Sequence, residues 1–374
     1  MIYLTFNDPP SGIYFSQVTD TCKFLSEQFG IRVRLIAFVS IRNYWKHRRA
    51  IKKEYKDTSV LPMFPGVKNW KKNYILLSLR LLFCKEKLII ARGPFATLLA
   101  LRLRKNGKAE KVCFDARGAY TAEFNEYNVS GDAELNRSIK EIEREALSNS
   151  DAQIAVSYAL TKYWKKDLGF DKQTFCVIPC TLNSMHAIRF TKKDRTHFRT
   201  QLGFAEDDIV LVYSGSQAPW QSLGSVATLL KRIMEKDKRI KLLFLTPELP
   251  GELKGMSERV IHKWVSPEQM PMLLAACDHG LLVRNDSITN SVSSPVKFAE
   301  YLKYGLKIII SNNIGDYPDF VRAHDVGKII IGDQIPELTV VSDEEKLRIA
   351  QLAQEQFSKN RFIKEYELIL RGQI

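Results

Sequence analysis

One stretch constrains the fold more than any other: Ser293-Ser294-Pro295-Val296-Lys297-Phe298-Ala299-Glu300-Tyr301-Leu302-Lys303-Tyr304-Gly305, followed by the apolar run 306–310. Its pattern predicts a capped helix leading into a buried strand. Ser294 is a suitable N-cap, and Pro295 suits the first helical position, where the N–H it lacks has no intrahelical partner. Gly305 supplies the left-handed residue that ends a helix, and the apolar run that follows is of the kind that fills a parallel sheet. Unpaired N–H groups and the positive dipole end face whatever sits before Ser293 and Ser294, a natural seat for a diphosphate. Lys297 in the first turn and Glu300 three residues on project from one helical face. That sets a cation near the phosphates and a carboxylate one turn deeper, where a ribose can donate to it. The alternative is a surface ion pair between the two.

At 374 residues the chain has room for two domains of ordinary size. No apolar run is long enough to span a membrane, and the N-terminus lacks a signal-peptide pattern, so a cytoplasmic protein is expected. Six cysteines, Cys22, Cys84, Cys113, Cys176, Cys180 and Cys277, include no Cys-x-x-Cys pair. Neither a metal site nor a disulfide framework is expected from them, and they read as reduced thiols, mostly buried.

The net charge of +14 is uneven: residues 1–187 carry 30 Lys and Arg against 18 Asp and Glu, and residues 188–374 carry 26 against 24. Within residues 32–111 the balance is 21 to 4, a bias that calls for an anionic partner. Residues 42–56 mix cations with Tyr44, Trp45 and Tyr55, the mixture repeats at Trp70-Lys71-Lys72-Asn73-Tyr74, and a leucine-rich run follows. Such segments suit an anionic membrane surface, cations on headgroups and rings at the interface. Nucleic acid is the rival anion, but no RNA-module motif accompanies them. The expected partner is therefore a membrane, met through residues 42–87, and not nucleic acid. A solvated basic face over a helix whose leucines pack inward also fits.

Taken in order, residues 1–6 read as a strand, 7–12 as a loop, 14–29 as a helix and 31–39 as a second strand, the opening of a doubly wound domain. Strands at 88–91 and 111–114 end at Arg92-Gly93 and at Asp115-Ala116-Arg117-Gly118, with Glu123 beyond. The carboxyl edge of an open α/β sheet is its ligand crevice, which makes Arg92, Asp115, Arg117 and Glu123 candidate cleft residues. A local Asp115–Arg117 ion pair that pins the turn is the alternative. A helix over 138–148, strands at 152–157 and 175–179, and a helix over 158–168 capped by Ser157 complete this half. The pattern breaks near 183–195.

The second half begins with a helix over 195–202 and a strand at 209–213, then Ser214-Gly215-Ser216 and Trp220-Gln221 before a helix over 223–236. A small-residue loop between strand and helix lets backbone N–H groups approach a phosphate. A strand at 241–245, an edge segment at 260–265, a helix from Ser266-Pro267-Glu268 to Cys277 and a strand at 278–283 follow. Arg284 ends that last strand beside the Ser294 helix start, positioned for bidentate phosphate binding, with an Arg284–Asp286 pair as the alternative. Residues 343–370 read as a closing helical region.

The motif Ser-Pro-x-Lys-Phe-x-Glu-Tyr-Leu-x-x-Gly, then an apolar strand and Asn313-Ile314-Gly315-Asp316, resembles the donor-binding region of retaining GT-B glycosyltransferases. It is most similar to their group 1, or family 4-like, branch, which builds bacterial surface polysaccharides such as capsule, O-antigen and lipopolysaccharide. The resemblance implies an α/β fold of two Rossmann-like doubly wound domains facing across a cleft: 1–187 for the acceptor and 188–357 for the nucleotide sugar. A C-terminal helix near 358–374 would return to the first. It implies sugar transfer from a nucleoside diphosphate donor to a lipid-linked or glycan acceptor, peripheral to the inner face of the cell membrane, with no cofactor and no metal.

Residue by residue, the resemblance makes Glu300 the ribose ligand, Val265 and Ser266 base contacts, and Gly12 part of a flexible loop near phosphate and acceptor. A plain tight turn at Gly12 is the alternative. Many members carry an Arg and a Lys in the loop matching residues 214–222, and this chain has neither. Their work is assigned to Arg284 and Lys297 as catalytic groups, with Gly215, Ser216, Trp220, Ser293 and Ser294 lining the donor site. Members also carry an acidic residue eight positions before Glu300, where this chain has Val292; Asn290, Ser291 and Ser293 are the polar groups nearby. Other GT-B activities, an inverting transferase or an epimerase, and a non-catalytic binding protein remain as alternatives.

Overall fold

A computed structural model of the chain describes residues 1–83, 85–182, 192–216, 218–256, 258–266, 268–332 and 334–374. Cys84, Pro267 and the expected boundary residues Asn183 and Ser184 lie outside these. The chain divides into two compact units, Met1–Ser184 with Lys359–Ile374, and Met185–Ser358.

The first unit is built on seven strands: β1 (Ile2–Phe6), β2 (Arg34–Ser40), β3 (Thr58–Met63), β4 (Glu86–Arg92), β5 (Ala109–Asp115), β6 (Ala152–Ala155) and β7 (Phe175–Val177). They lie parallel in the order β3-β2-β1-β4-β5-β6-β7. Continuous apolar runs such as Ile2-Tyr3-Leu4 and Leu88-Ile89-Ile90-Ala91 are buried, as helices on both faces of a parallel sheet require. The C-terminal segment belongs to this unit. Phe362, Tyr366 and Ile369 enter its core, Tyr366 packs 5.9 Å from Phe24 between ring centroids, and Lys359 pairs with buried Asp20 at 2.5 Å.

Strand β3 is absent from the sequence reading. Pro62 argues against a strand, yet β3 lies at the sheet edge, where a missing N–H is tolerated. Gly12 is a correction of another kind. It opens a helical segment, capped by Ser11, that runs through a π-turn (Phe15–Thr19) into the helix Asp20–Phe29. Ser11 Oγ accepts from the Tyr14 N–H, so the helix starts where a loop was expected.

The second unit holds β8 (Ile209–Ser214), β9 (Ile240–Leu245), β10 (Val260–Lys263), β11 (His279–Leu282), β12 (Lys307–Ser311) and β13 (Gly327–Ile330), parallel in the order β10-β9-β8-β11-β12-β13. The helix Val296–Lys303 packs its buried face, including Phe298, Ala299, Tyr301 and Leu302, against this sheet. Gly305 follows at φ +71, the left-handed residue expected after the helix.

The N-terminus of that helix corrects the sequence reading. The helix begins at Val296, Pro295 occupies the cap position with extended backbone, and Ser294 Oγ is 2.6 Å from the Tyr317 hydroxyl. The Tyr317 ring stacks on Phe298 at 3.9 Å, so a tertiary partner takes the hydroxyl the cap would have used. The expected helix over 266–277 is also shorter, running only over Met270–Ala275.

Gly280 sets how close the helix and sheet approach. A Cβ there would lie 2.3 Å from the Tyr301 ring, whose hydroxyl reaches across to the Ser214 N–H at 3.0 Å. Gly280→Ala therefore forces the ring outward and breaks that bond. We expect a loss of about 1–3 kcal/mol, read as an earlier urea transition of the second unit.

Candidate functional site

In the second unit, β8 and β11 are neighbours whose onward connections run in opposite directions, to β9 and to β12. Their carboxyl ends therefore flank the crevice where doubly wound sheets take ligands. Four pieces of chain meet there. Ser214 and Gly215 end β8, Gln221 closes the turn Pro219–Gln221, Arg284 follows β11, and Lys297 comes from the first turn of the helix.

Lys297 Nζ donates to Gln221 Oε1 at 3.1 Å and lies 5.2 Å from the centroid of the Tyr213 ring. A Cβ on Gly215 would come within 2.7 Å of Nζ, so the glycine provides the space the ammonium occupies. Burial, helped by the nearby positive charge of Arg284, lowers Lys297 to about 7; Glu300 acts in the other direction. Glu300 is half-buried, and loss of solvent raises its pKa above the ordinary carboxylate range. Its carboxylate makes no hydrogen bond or ion pair with any described residue.

Arg284 is held at both ends. Its N–H donates to Ser311 Oγ at 2.7 Å, and its guanidinium donates to Asn290 Oδ1 at 3.1 Å and Ser293 Oγ at 3.4 Å. Asn285 ties the surrounding loops together. Its N–H donates to Ser222 Oγ, its carbonyl accepts from Asn290 and Asn313, and its side chain accepts from Ser225. Asp286 accepts from Asn313.

The structure thus brings together Gly215, Arg284, Lys297 and Ser293, with Glu300 one turn along the same helix. Trp220 is half-buried in the turn beside Gln221, and Ser216 is exposed, its Oγ accepting from the Ala218 N–H at 3.4 Å. Ser294 is turned toward Tyr317, as described above. Val265 and Ser266 follow β10, two strands from β8, and the Ser266 N–H donates to Gln269 Oε1 at 3.2 Å. Val292 is buried at 3% exposure. Tyr213, Gln221 and Tyr301 are groups the sequence reading left out. The adjacency of Gln221 to Trp220 was the available signal for one; the two tyrosines looked like core.

The first unit has its own switch point between β1 and β4. Arg92 Nε donates to Asp8 Oδ2 at 2.8 Å, and Arg92 Nη1 lies 3.6 Å from Asp115 Oδ2. Asp115 also accepts from Arg117 at 3.1 Å and from the buried Tyr3 hydroxyl at 2.5 Å, so the local Asp115–Arg117 pair is present. Arg92, Arg117, Asp8, Tyr120 and Glu123 line one cavity of about 280 Å³ with Phe95 and Phe124. Gly12 is not among its lining residues. The five described cysteines are free thiols, and among the described residues no group of three His, Cys, Asp or Glu side chains is placed to hold a metal ion.

Two doubly wound parallel units, each with charged groups at its switch point, define the GT-B class of fold. Solved structures of that fold match the chain over its whole length. The Anabaena HepE protein in complex with UDP and glucose is 14% identical over 100% of both chains, with a TM-score of 0.69. Sucrose-phosphate synthase from Thermosynechococcus elongatus is 12% identical over 100% of this chain and 98% of its own (TM-score 0.70). WaaG, a glycosyltransferase involved in lipopolysaccharide biosynthesis, is 11% identical over 95% and 94% (TM-score 0.62). No protein-family model matches the sequence, and no curated protein is detectably similar to it in sequence.

The electrostatics of Lys297 are open to direct measurement. Between pH 7 and its ordinary value of 10.5, the unfolded chain binds the proton that the folded lysine has released, so this residue's contribution to stability improves as pH rises. NMR titration of the lysine side chains should show one midpoint near 7. Arg284→Ala should raise it and Glu300→Gln should lower it; a midpoint near 10 in the wild type would mean the ammonium is solvated.

Proposed function

We propose that the chain is a retaining, metal-independent glycosyltransferase. It moves a sugar from a nucleoside diphosphate donor to a lipid-linked or glycan acceptor in bacterial polysaccharide biosynthesis. The observation that carries this reading is the convergence of Lys297, Arg284 and the Gly215 loop at one crevice. A desolvated lysine beside an arginine and a glycine backbone suits an anion, and a departing diphosphate develops the negative charge that such groups stabilise. Glu300, unengaged and one helical turn away, is placed to accept hydrogen bonds from a ribose. Support comes from the fold, shared with HepE in complex with UDP-glucose and with a lipopolysaccharide glycosyltransferase. Retention of anomeric configuration follows from the family resemblance. No nucleophile is assigned, and the departing phosphate would take the acceptor's proton.

One observation favours a second reading, a binding protein without turnover: Val292 is buried where the resemblance expects a carboxylate. Binding and turnover should be measured together against UDP-, GDP- and dTDP-sugars. We expect one donor to bind, and Lys297→Ala and Glu300→Ala each to weaken it about tenfold or more, roughly 1.4 kcal/mol. Release of nucleoside diphosphate in the presence of a lipid-linked or glycan acceptor supports the transferase, and the product anomer distinguishes retention from inversion. Binding without release supports the second reading. If wild type binds no donor better than the variants, both fail.

We propose a membrane contact through the first unit, supported by two of its helices. The helix Tyr44–Glu54 and the helix Asn73–Arg80 both fasten to the edge strand β3, through Tyr44 to the Val60 carbonyl and Arg80 to Ser59 Oγ. They expose Trp45 (74%) and, with the turn that follows, Ile75, Leu79, Leu82 and Phe83 (95%) among lysines and arginines. Among the described residues no helix is long and apolar enough to cross a membrane. Peripheral attachment to the cytoplasmic face through residues 42–87 is the proposed arrangement. Sedimentation with phosphatidylglycerol vesicles should exceed that with phosphatidylcholine, weaken with salt, and drop in a Trp45→Ala, Phe83→Ser double variant; equal sedimentation with both vesicles counts against it.

A further inference from the structure

The cavity at the first unit's switch point has a charge pattern unlike the crevice of the second. Two guanidinium groups face three carboxylates. Arg92 is engaged by Asp8 and Asp115, and Arg117 by Asp115 at 3.1 Å, so both cations are matched before Glu123 is counted. Glu123 lines the cavity from the first turn of the helix Tyr120–Tyr127. Its carboxylate has no hydrogen bond or ion pair with a described residue, and burial raises its pKa above the ordinary value. Phe95, Phe124, Val67 and Val129 supply apolar walls around this polar floor.

A phosphate would find its cations already neutralised and a carboxylate beside it. A neutral polyol finds acceptors for its O–H groups in Glu123 and Asp8, and aromatic faces for its C–H surface. At about 280 Å³ the space is at the small end of ligand pockets and suits one sugar ring. Resting on the transferase reading, we propose that this cavity holds a neutral sugar of the acceptor, with Glu123 accepting its hydroxyl groups, and that it discriminates against phosphate. The anionic part of a lipid-linked acceptor would then be met outside the cavity.

The test uses the full chain and a panel of methyl glycosides (gluco, galacto, manno and N-acetylglucosamino) beside glucose 1-phosphate and galactose 1-phosphate. Binding is read by saturation-transfer NMR and calorimetry. We expect at least one neutral glycoside to bind more tightly than either phosphate. Glu123→Ala should weaken it at least tenfold and Glu123→Gln by less, both variants keeping the wild-type melting temperature. Affinity for whichever of the UDP-, GDP- and dTDP-sugars the wild type binds should be the same in all three proteins. A tighter sugar phosphate, an unchanged affinity in Glu123→Ala, or no glycoside binding at all overturns the proposal. Failure of the wild type to bind any of the UDP-, GDP- and dTDP-sugars would instead overturn the transferase reading, so the two failures are distinct.

Discussion

The second unit is arranged around an ammonium group kept from water. Among the described residues Lys297 donates to Gln221 and meets an aromatic face, and the charge of Arg284 adds to burial in lowering its pKa while Glu300 acts the other way. Desolvating a cation beside a like charge is costly, and the lowered pKa expresses that cost. The fold tolerates it because its neighbours are fixed by other means. Gly280 admits the Tyr301 ring, Tyr301 fixes the Ser214 backbone, and Ser214 sets where Gly215 opens space for Nζ. An anion entering beside Lys297 would favour the charged ammonium that burial and Arg284 disfavour.

Much of this was legible in the sequence, and the failures share a cause. The succession of parallel strands, the Gly305 helix end and the meeting of Arg284 with Lys297 follow from local pattern together with the rule that such folds bind at carboxyl strand ends. Ser294 was misread because its hydroxyl has two available partners, and the one chosen, Tyr317, is 23 residues away. Strand β3 was missed because Pro62 is penalised by a rule that edge position suspends. Tyr213 and Tyr301 gave no sequence signal, since an aromatic residue in an apolar run reads as core, and both are in fact buried there. What separates them from ordinary core is only the polar atom each sets beside the crevice.

The two units apply one topology with different partners for their arginines. Each sheet reverses its strand order once, and each places arginine at the end of a strand beside that reversal. In the second unit, the Arg284 guanidinium donates to Asn290 and Ser293, and its backbone N–H donates to Ser311. In the first, Arg92 and Arg117 are held by Asp8 and Asp115, which position and cancel together. The arginines at the two edges thus differ in the partners that hold them. The strong positive bias of residues 32–111 therefore does not describe the first unit's cavity; its cations project from the Trp45 helix and other outer elements instead.

Partner choice also bears on position 292. With Val292 buried, the turn between Ile288 and Ser293 is free to close on Arg284, and Asn290 and Ser293 both do so. A carboxylate at 292 would either be buried, at a cost of several kcal/mol for an unpaired charge, or turn outward and pull this segment with it. With no Arg or Lys in residues 214–222, an anion entering this crevice would meet Arg284 and Lys297 as its cations.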